Sequence, residues 1–315
     1  MQLDPQARAV LERAARAGVP SFAQLGAALA RAIYRETRGV LASPPPAVAR
    51  IEDRRAPGPA SDIPLRCYRP LGVSDTELLP ALVYFHGGGW TLGDLDTHDV
   101  VCREFANRAR CAVVAVDYRL APEHKFPAAV DDAVAATRWI ASTARHLGVD
   151  ERRIAVGGDS AGGNLAAVVA LTLRDDGGPS LAMQALIYPA TDLAADTPSH
   201  KRLAEGYLLT RESILWFTGN YVRSPADVTD WRASPLKARD LSRLPPAYVV
   251  TAGFDPLYDE GHAYAAALQA AGVETTYECF EGMVHGFVTM GGVIAAAHHA
   301  IYRVSLALRE VFARR

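Results

Sequence analysis

The 315-residue chain has only four cysteines, and none of Cys67, Cys102, Cys111 and Cys279 stands at C-x-x-C or metal-ligand spacing. That excludes a disulfide-built scaffold and offers no zinc-type cluster, so neither a metal nor a redox pair is expected. Free, buried thiols in a reducing cytoplasm are the expectation, with a disulfide between distant cysteines left open. An excess of one charge is also missing. Lys and Arg number 33 against 35 Asp and Glu, a net charge of −2, which gives no electrostatic case for nucleic acid or an anionic membrane as partner. Long apolar runs are absent too: the longest uncharged segment, 282–302, is broken by glycines and histidines and is too weakly apolar to cross a bilayer. The start, Met1-Gln2-Leu3-Asp4-Pro5, lacks the basic and apolar regions of a secretory signal, so a cytoplasmic location is expected. No G-x-G-x-x-G occurs and no Lys-Ser or Lys-Thr follows a glycine cluster, so phosphate cradling and a nucleotide cofactor have no support.

Half of the residues are hydrophobic, enough for a large core. A helical pattern over 11–40 is stopped by Ser43-Pro44-Pro45-Pro46. Strands are expected at 48–54, 63–68, 81–85, 111–116, 153–157, 183–188, 246–252 and 273–280, with helices filling most gaps. Strand and helix alternate from residue 81 onward. That alternation predicts an α/β fold with a mostly parallel sheet covered on both faces, antiparallel pairing being confined to the first strands. Ligands in such sheets bind at the carboxyl ends of the strands. Between 190 and 245 the alternation is interrupted; 210–221 reads as a helix with Leu215, Trp216, Phe217 and Tyr221 as an apolar stripe, and 224–234 has turn chemistry.

Gly158-Asp159-Ser160-Ala161-Gly162 follows the strand at 153–157 and opens a helical run from Asn164. G-x-S-x-G alone is weak, but strand, turn and helix together are what a nucleophile elbow needs to hold a serine hydroxyl up at the end of a sheet. About seventy residues upstream, another strand runs into His86-Gly87-Gly88-Gly89-Trp90. Three successive glycines can turn backbone N–H groups toward one point and stabilise an oxyanion, with His86 ordering the loop. Asp255 lies just past the strand at 246–252, and a capping role before Pro256 is its plainer alternative. Asp259, one turn into the next helix, is the rival acid. His285 is distinguished from the other eight histidines by its place in a loop after the last strand, with Gly282 and Gly286 near it. The order Ser160, Asp255, His285 is that of a hydrolase triad on this kind of sheet.

These motifs, with Asp117-Tyr118-Arg119-Leu120-Ala121-Pro122-Glu123, Asp255-Pro256-Leu257 and His285-Gly286-Phe287, resemble the hormone-sensitive-lipase-like family of α/β-hydrolases, the bacterial family IV esterases. The resemblance implies an α/β-hydrolase fold with a helical cap. Its parts would be the cap helices at 1–46, the catalytic core at 47–189 and 246–315, and a cap insertion at 190–245. It also implies a cofactor-free carboxylesterase for short- to medium-chain acyl esters. Ser160 would be nucleophile, His285 base and Asp255 acid, with oxyanion donors among Gly87, Gly88, Gly89 and Ala161. The 117–123 motif would be structural support. An amidase, peptidase or acyltransferase would use the same groups, and a non-catalytic small-molecule receptor on this fold is the other class of reading. Finally, 273–280 is the last strand and should lie at a sheet edge, rich in β-formers and guarded only by Glu274 and Glu278. Since some members of the resembled family dimerise there, a homodimer through this strand is expected, with Thr276 as an edge donor.

Overall fold

The computed structural model describes residues 2–314. Eight strands form one sheet: β1 (Arg50–Ala56), β2 (Ile63–Arg69), β3 (Leu79–Phe85), β4 (Ala112–Val116), β5 (Val149–Asp159), β6 (Gln184–Ile187), β7 (Ala247–Phe254) and β8 (Thr275–Val284). Their spatial order is β1-β2-β4-β3-β5-β6-β7-β8. Only the β1–β2 and β2–β4 pairs are antiparallel, and every pair from β4 to β8 is parallel. All eight strands are where the sequence puts them, although β5 starts at Val149 rather than 153 and β8 runs on to Val284. Cys279 is therefore mid-strand rather than terminal, and Cys111 lies just before β4.

β3 and β4 are buried at every residue, as expected for parallel strands with both faces covered. Neighbouring side chains go to opposite layers. Val83 and Phe85 join Val114, Val156, Leu165 and Val169 on one face, while Leu82 and Tyr84 join Val113, Phe105, Ile301 and Val304 on the other. The helices α3 (Asp99–Ala109), α4 (Ala128–Ser142), α5 (Ala161–Asp175), α8 (Tyr258–Ala270) and α9 (Ala295–Ala313) cover the sheet. Among the described residues no helix is long and apolar enough to cross a membrane. All four cysteines are free; Cys102 and Cys111 are buried, whereas Cys67 and Cys279 are only half-buried.

The single helical stretch read at 11–40 is two helices, α1 (Pro5–Ala17) and α2 (Phe22–Leu41). Asp4 accepts the Gln6 N–H at 2.7 Å to start α1, and Gly18 ends it in the left-handed region at φ 60°. After β6 come α6 (Pro198–Arg202) and α7 (Arg211–Tyr221). α2 and α7 meet through Phe22, whose ring centroid lies 6.0 Å from Trp216 and 5.8 Å from Phe217. Arg31 of α2 donates to the carbonyls of Thr91 and Ala121, each at 2.8 Å, and pairs with Glu123. These bonds pin α2 to the loops that follow β3 and β4.

β8 ends the sheet, as expected. Its register differs from expectation in one respect that bears on the edge. The Ala247 N–H donates to the Glu274 carbonyl at 2.8 Å, so in a parallel ladder Thr276, Glu278 and Phe280 turn their backbone groups toward β7. Thr275, Tyr277 and Cys279 face the open side instead, and Thr276 is not the edge donor. Glu278 and Glu274 pair with Arg303 at 3.1 Å and Arg314 at 2.8 Å, which neutralises the two charges that would otherwise guard the edge.

Candidate active site

Three residues that immediately follow strands converge. β5 ends at Asp159 and α5 begins at Ala161, leaving Ser160 alone in the turn at φ 56°, ψ −119°. A residue with a side chain held there stores about 1–3 kcal/mol of strain, which the surrounding packing must maintain. The turn is possible because Gly162 is bare: a Cβ there would sit 1.9 Å from the Phe85 carbonyl oxygen. Asp255 follows β7 and His285 follows β8. His285 Nε2 lies 2.9 Å from Ser160 Oγ, and its Nδ1 lies 2.6 Å from Asp255 Oδ2. The Asp255 carboxylate is fully buried, and its other oxygen accepts the Leu257 N–H at 2.8 Å. Capping and partnering His285, weighed as alternatives from the sequence, are thus done by one carboxylate. Asp259 is turned elsewhere, accepting the Ser199 N–H at 2.6 Å.

The glycine loop lies opposite. Gly88 has φ +122°, a conformation that requires glycine, and its carbonyl accepts the Thr91 and Leu92 N–H groups. Among the described residues nothing accepts from the N–H groups of Gly88, Gly89 or Ala161. Gly87 is different and is removed from the donor set. Its N–H points away from the serine to Asp159 Oδ1 at 3.0 Å, so it cannot also hold an oxyanion. His86 does order the loop: its Nδ1 lies 2.8 Å from the Gly87 carbonyl, its ring stacks on Tyr118 at 4.3 Å, and burial pushes its imidazole down to about 4. The Tyr118 hydroxyl donates to the His86 carbonyl at 2.7 Å. Arg119 forms an ion pair with the buried Asp132 at 2.8 Å, which gives the 117–123 motif the supporting contacts anticipated for it.

Asp159, the unspecified residue of G-x-S-x-G, ties the two loops together. Its buried carboxylate accepts from Tyr84 Oη at 2.9 Å and from Gly87 N, and it faces His98 Nε2 at 3.2 Å. Burial alone would raise its pKa, but His98 and the Tyr84 hydroxyl bring it down to about 2 from the usual 3.8. A depressed carboxyl stabilises the fold above its unfolded value, and that contribution is lost as pH falls through the folded one. Asp159→Asn should therefore unfold more easily in urea at neutral pH, and its stability should fall less steeply than that of the wild type between pH ~4 and ~2. Parallel acid profiles for the two proteins would contradict this role. The sequence did not single out Asp159 or His98. The aspartate sat inside a quoted motif, but nothing in the sequence places His98 against it.

One cavity of about 770 Å³ contains Ser160 and His285 and is walled by α2, α7 and the strand-end loops. Phe217 lies against the loop, since a Cβ on Gly89 would be 2.3 Å from its ring. His200 and Glu260 also reach this wall; Glu260 accepts the Thr191 and Asp192 N–H groups at 2.6 and 3.3 Å, and burial pushes its carboxyl well up. Neither residue was legible as part of the site, because both reach it from the flanks of helices.

A serine on a strand-to-helix elbow, a histidine and an acid in this chain order, and an open glycine loop beside them define a hydrolase constellation on a parallel sheet. Residues 82–289 match the family described by its alpha/beta hydrolase fold, and the chain belongs to that family. Its relatives fit the hormone-sensitive-lipase-like branch. The carboxylic ester hydrolase LipN of Mycobacterium tuberculosis is 48% identical over 271 residues, covering 83% of this chain and 71% of LipN. Carboxylesterase NlhH of the same organism is 46% identical, covering 90% of this chain and 89% of NlhH. The solved structure of the ester-hydrolase EH1AB1 from the metagenome of Lake Arreo, in complex with a bipyridine phosphonate derivative, superposes with a TM-score of 0.96 at 44% identity, covering 99% of this chain and 100% of that one.

Proposed function

We propose that this chain is a carboxylic ester hydrolase for short- to medium-chain acyl esters, working by double displacement through Ser160. The observation that carries the reading is the continuous relay from Asp255 Oδ2 to His285 Nδ1, at 2.6 Å, and from His285 Nε2 to Ser160 Oγ, at 2.9 Å, beside three unengaged N–H groups. Ester rather than another acyl substrate is supported by the activities of the relatives. His285 takes the Ser160 proton as Oγ attacks the ester carbonyl, and the N–H groups of Gly88, Gly89 and Ala161 hold the oxyanion. His285 then protonates the leaving alcohol, and the same nitrogen activates the water that releases the acid. Asp255 keeps the Nδ1 proton in place and stabilises the imidazolium without taking that proton. Turnover of a chromogenic butanoate ester, set against the matching anilide, tests the reading; a faster anilide would make it an amidase.

Residues 2–46 and 190–245 act as a cap over the catalytic core formed by 47–189 and 246–314, the outermost residue at each end lying outside the described residues. Support comes from the Phe22, Trp216 and Phe217 contact and from the cavity beneath it. An apolar wall of this kind discriminates acyl chains by burial, worth about 10- to 200-fold per well-placed group. Phe217→Ala should accordingly reduce kcat/KM for a hexanoate ester about tenfold more than for the acetate ester. Equal losses across acyl lengths would remove the acyl-binding role of α7.

The outward backbone groups of Tyr277 and Cys279 and the outward N–H of Thr275, whose carbonyl already accepts from Gln269 at 3.2 Å, support an antiparallel homodimer through β8. Thr275→Pro deletes an outward donor at the first residue of the strand, a place where proline is tolerated. It should shift the sedimentation coefficient from dimer to monomer at micromolar concentration. A wild type that is already monomeric there would end the proposal. The four free thiols are compatible with the cytoplasm as the place of action.

A further inference from the structure

α2 carries Arg31, Arg35 and Arg38 at successive turns. The first two are paired with Glu123 and Asp94, but Arg38 has no carboxylate partner among the described residues. Its Nη1 donates to Thr289 Oγ1 at 2.8 Å, its guanidinium carbon lies 4.7 Å from the Tyr34 ring centre, and its Nε is shielded from solvent without any partner. The guanidinium also abuts the loop that bears His285: a Cβ on Gly286 would lie 3.2 Å from Nη2. Arg38, Ser160 and His285 line the same cavity.

Most acidic groups on that wall are engaged away from Arg38, Glu260 with the Thr191 and Asp192 N–H groups and beside His200 at 3.4 Å. Asp192 pairs with Lys237 at 2.7 Å, Glu212 accepts from Ser21 at 3.2 Å, and Asp159 is held by Tyr84 and His98. Glu36 is exposed and makes no ion pair with Arg38. An arginine that is partly desolvated and whose terminal Nη groups have no carboxylate to hold can take one from a ligand in charge-assisted hydrogen bonds. Arg13 lines the same cavity and likewise makes no ion pair among the described residues, but Arg38 is the one that abuts the loop bearing His285.

We propose that Arg38 is a specificity-determining residue that binds a carboxylate carried by the ester substrate, making acidic esters a preferred class. The inference rests on the ester-hydrolase reading. Its chemistry allows the carboxylate to belong to either half of the ester. Because His285 must protonate the leaving oxygen and Arg38 abuts Gly286 beside it, the alcohol half reaches Arg38 most directly.

The test compares kcat/KM for 4-acetoxybutanoate against butyl acetate, with the carboxylate in the alcohol half, and for monoethyl glutarate against ethyl pentanoate, with it in the acyl half. In the wild type at least one acidic ester should be favoured over what Arg38→Met shows. The substitution should lower that acidic-to-neutral ratio about 10- to 100-fold, mainly through KM, and Arg38→Lys should restore part of it. The affected pair tells which half carries the carboxylate. Calorimetric titration of 4-acetoxybutanoate and monoethyl glutarate into Ser160→Ala, with and without Arg38→Met, reads the same contact without turnover. Loss of neutral-ester hydrolysis in the wild type would count against the ester-hydrolase reading alone. Unchanged ratios in folded Arg38→Met, or unchanged binding in the titration, would overturn the role of Arg38.

Discussion

Ser160→Ala should lower kcat by about 10⁴-fold or more and leave the protein folded. The hydroxyl makes no capping bond to α5, and its partner is His285 Nε2 at 2.9 Å. Its removal therefore costs the fold little while deleting the atom that forms the acyl-enzyme. Alanine meets the same backbone demand at φ 56° that serine does. What survives is the contribution of the oxyanion donors and of substrate binding, which do not require a nucleophile. Circular dichroism and KM should stay close to wild type. A variant that keeps a tenth of the turnover with an unchanged spectrum would refute the assignment.

Asp255→Asn should be nearly as damaging, on the order of 10⁴-fold in kcat, by a route that tests the orientation of the relay. The Leu257 N–H needs an acceptor, and the Asp255 side chain supplies it through Oδ1 at 2.8 Å. An asparagine that satisfies that donor with its oxygen presents its NH₂ to His285 Nδ1. The imidazole must then accept there and carry its proton on Nε2, where it can no longer take the proton of Ser160. Because the replacement is isosteric, Tm should move much less than activity. Asp259→Asn is the matched control, since that carboxylate serves Ser199 rather than His285. If the control loses as much turnover as Asp255→Asn, the acid has been assigned wrongly.

The parts of this molecule that were legible in the sequence are those governed by local rules. Buried strands such as β3 and β4 are continuous apolar runs, and the three converging residues each sit one position past a strand, where a parallel sheet collects loops. The break between α1 and α2 follows from Gly18, Pro20 and Ser21, a helix stop followed by a cap, yet the shared helical periodicity on either side masked it. Gly87 was grouped with Gly88 and Gly89 because composition cannot tell which way a given N–H points. Its direction is set by Asp159, whose own position depends on Tyr84 and His98 from two other elements. The same limit applies to β8, where only the pairing of Ala247 with Glu274 decides which residues face outward, and to Arg38, whose lack of a partner is a property of the assembled cavity.

The role of Ser160 as nucleophile is tested most directly by covalent trapping. The protein would be treated with a p-nitrophenyl alkylphosphonate until hydrolysis of a butanoate ester ceases, digested, and examined by peptide mass spectrometry. Phosphonylation at one site, Ser160, in step with loss of activity, and no labelling of His285→Ala on the same timescale, is the expected result. Complete inactivation with Ser160 unmodified, or with the adduct on another residue, would contradict it.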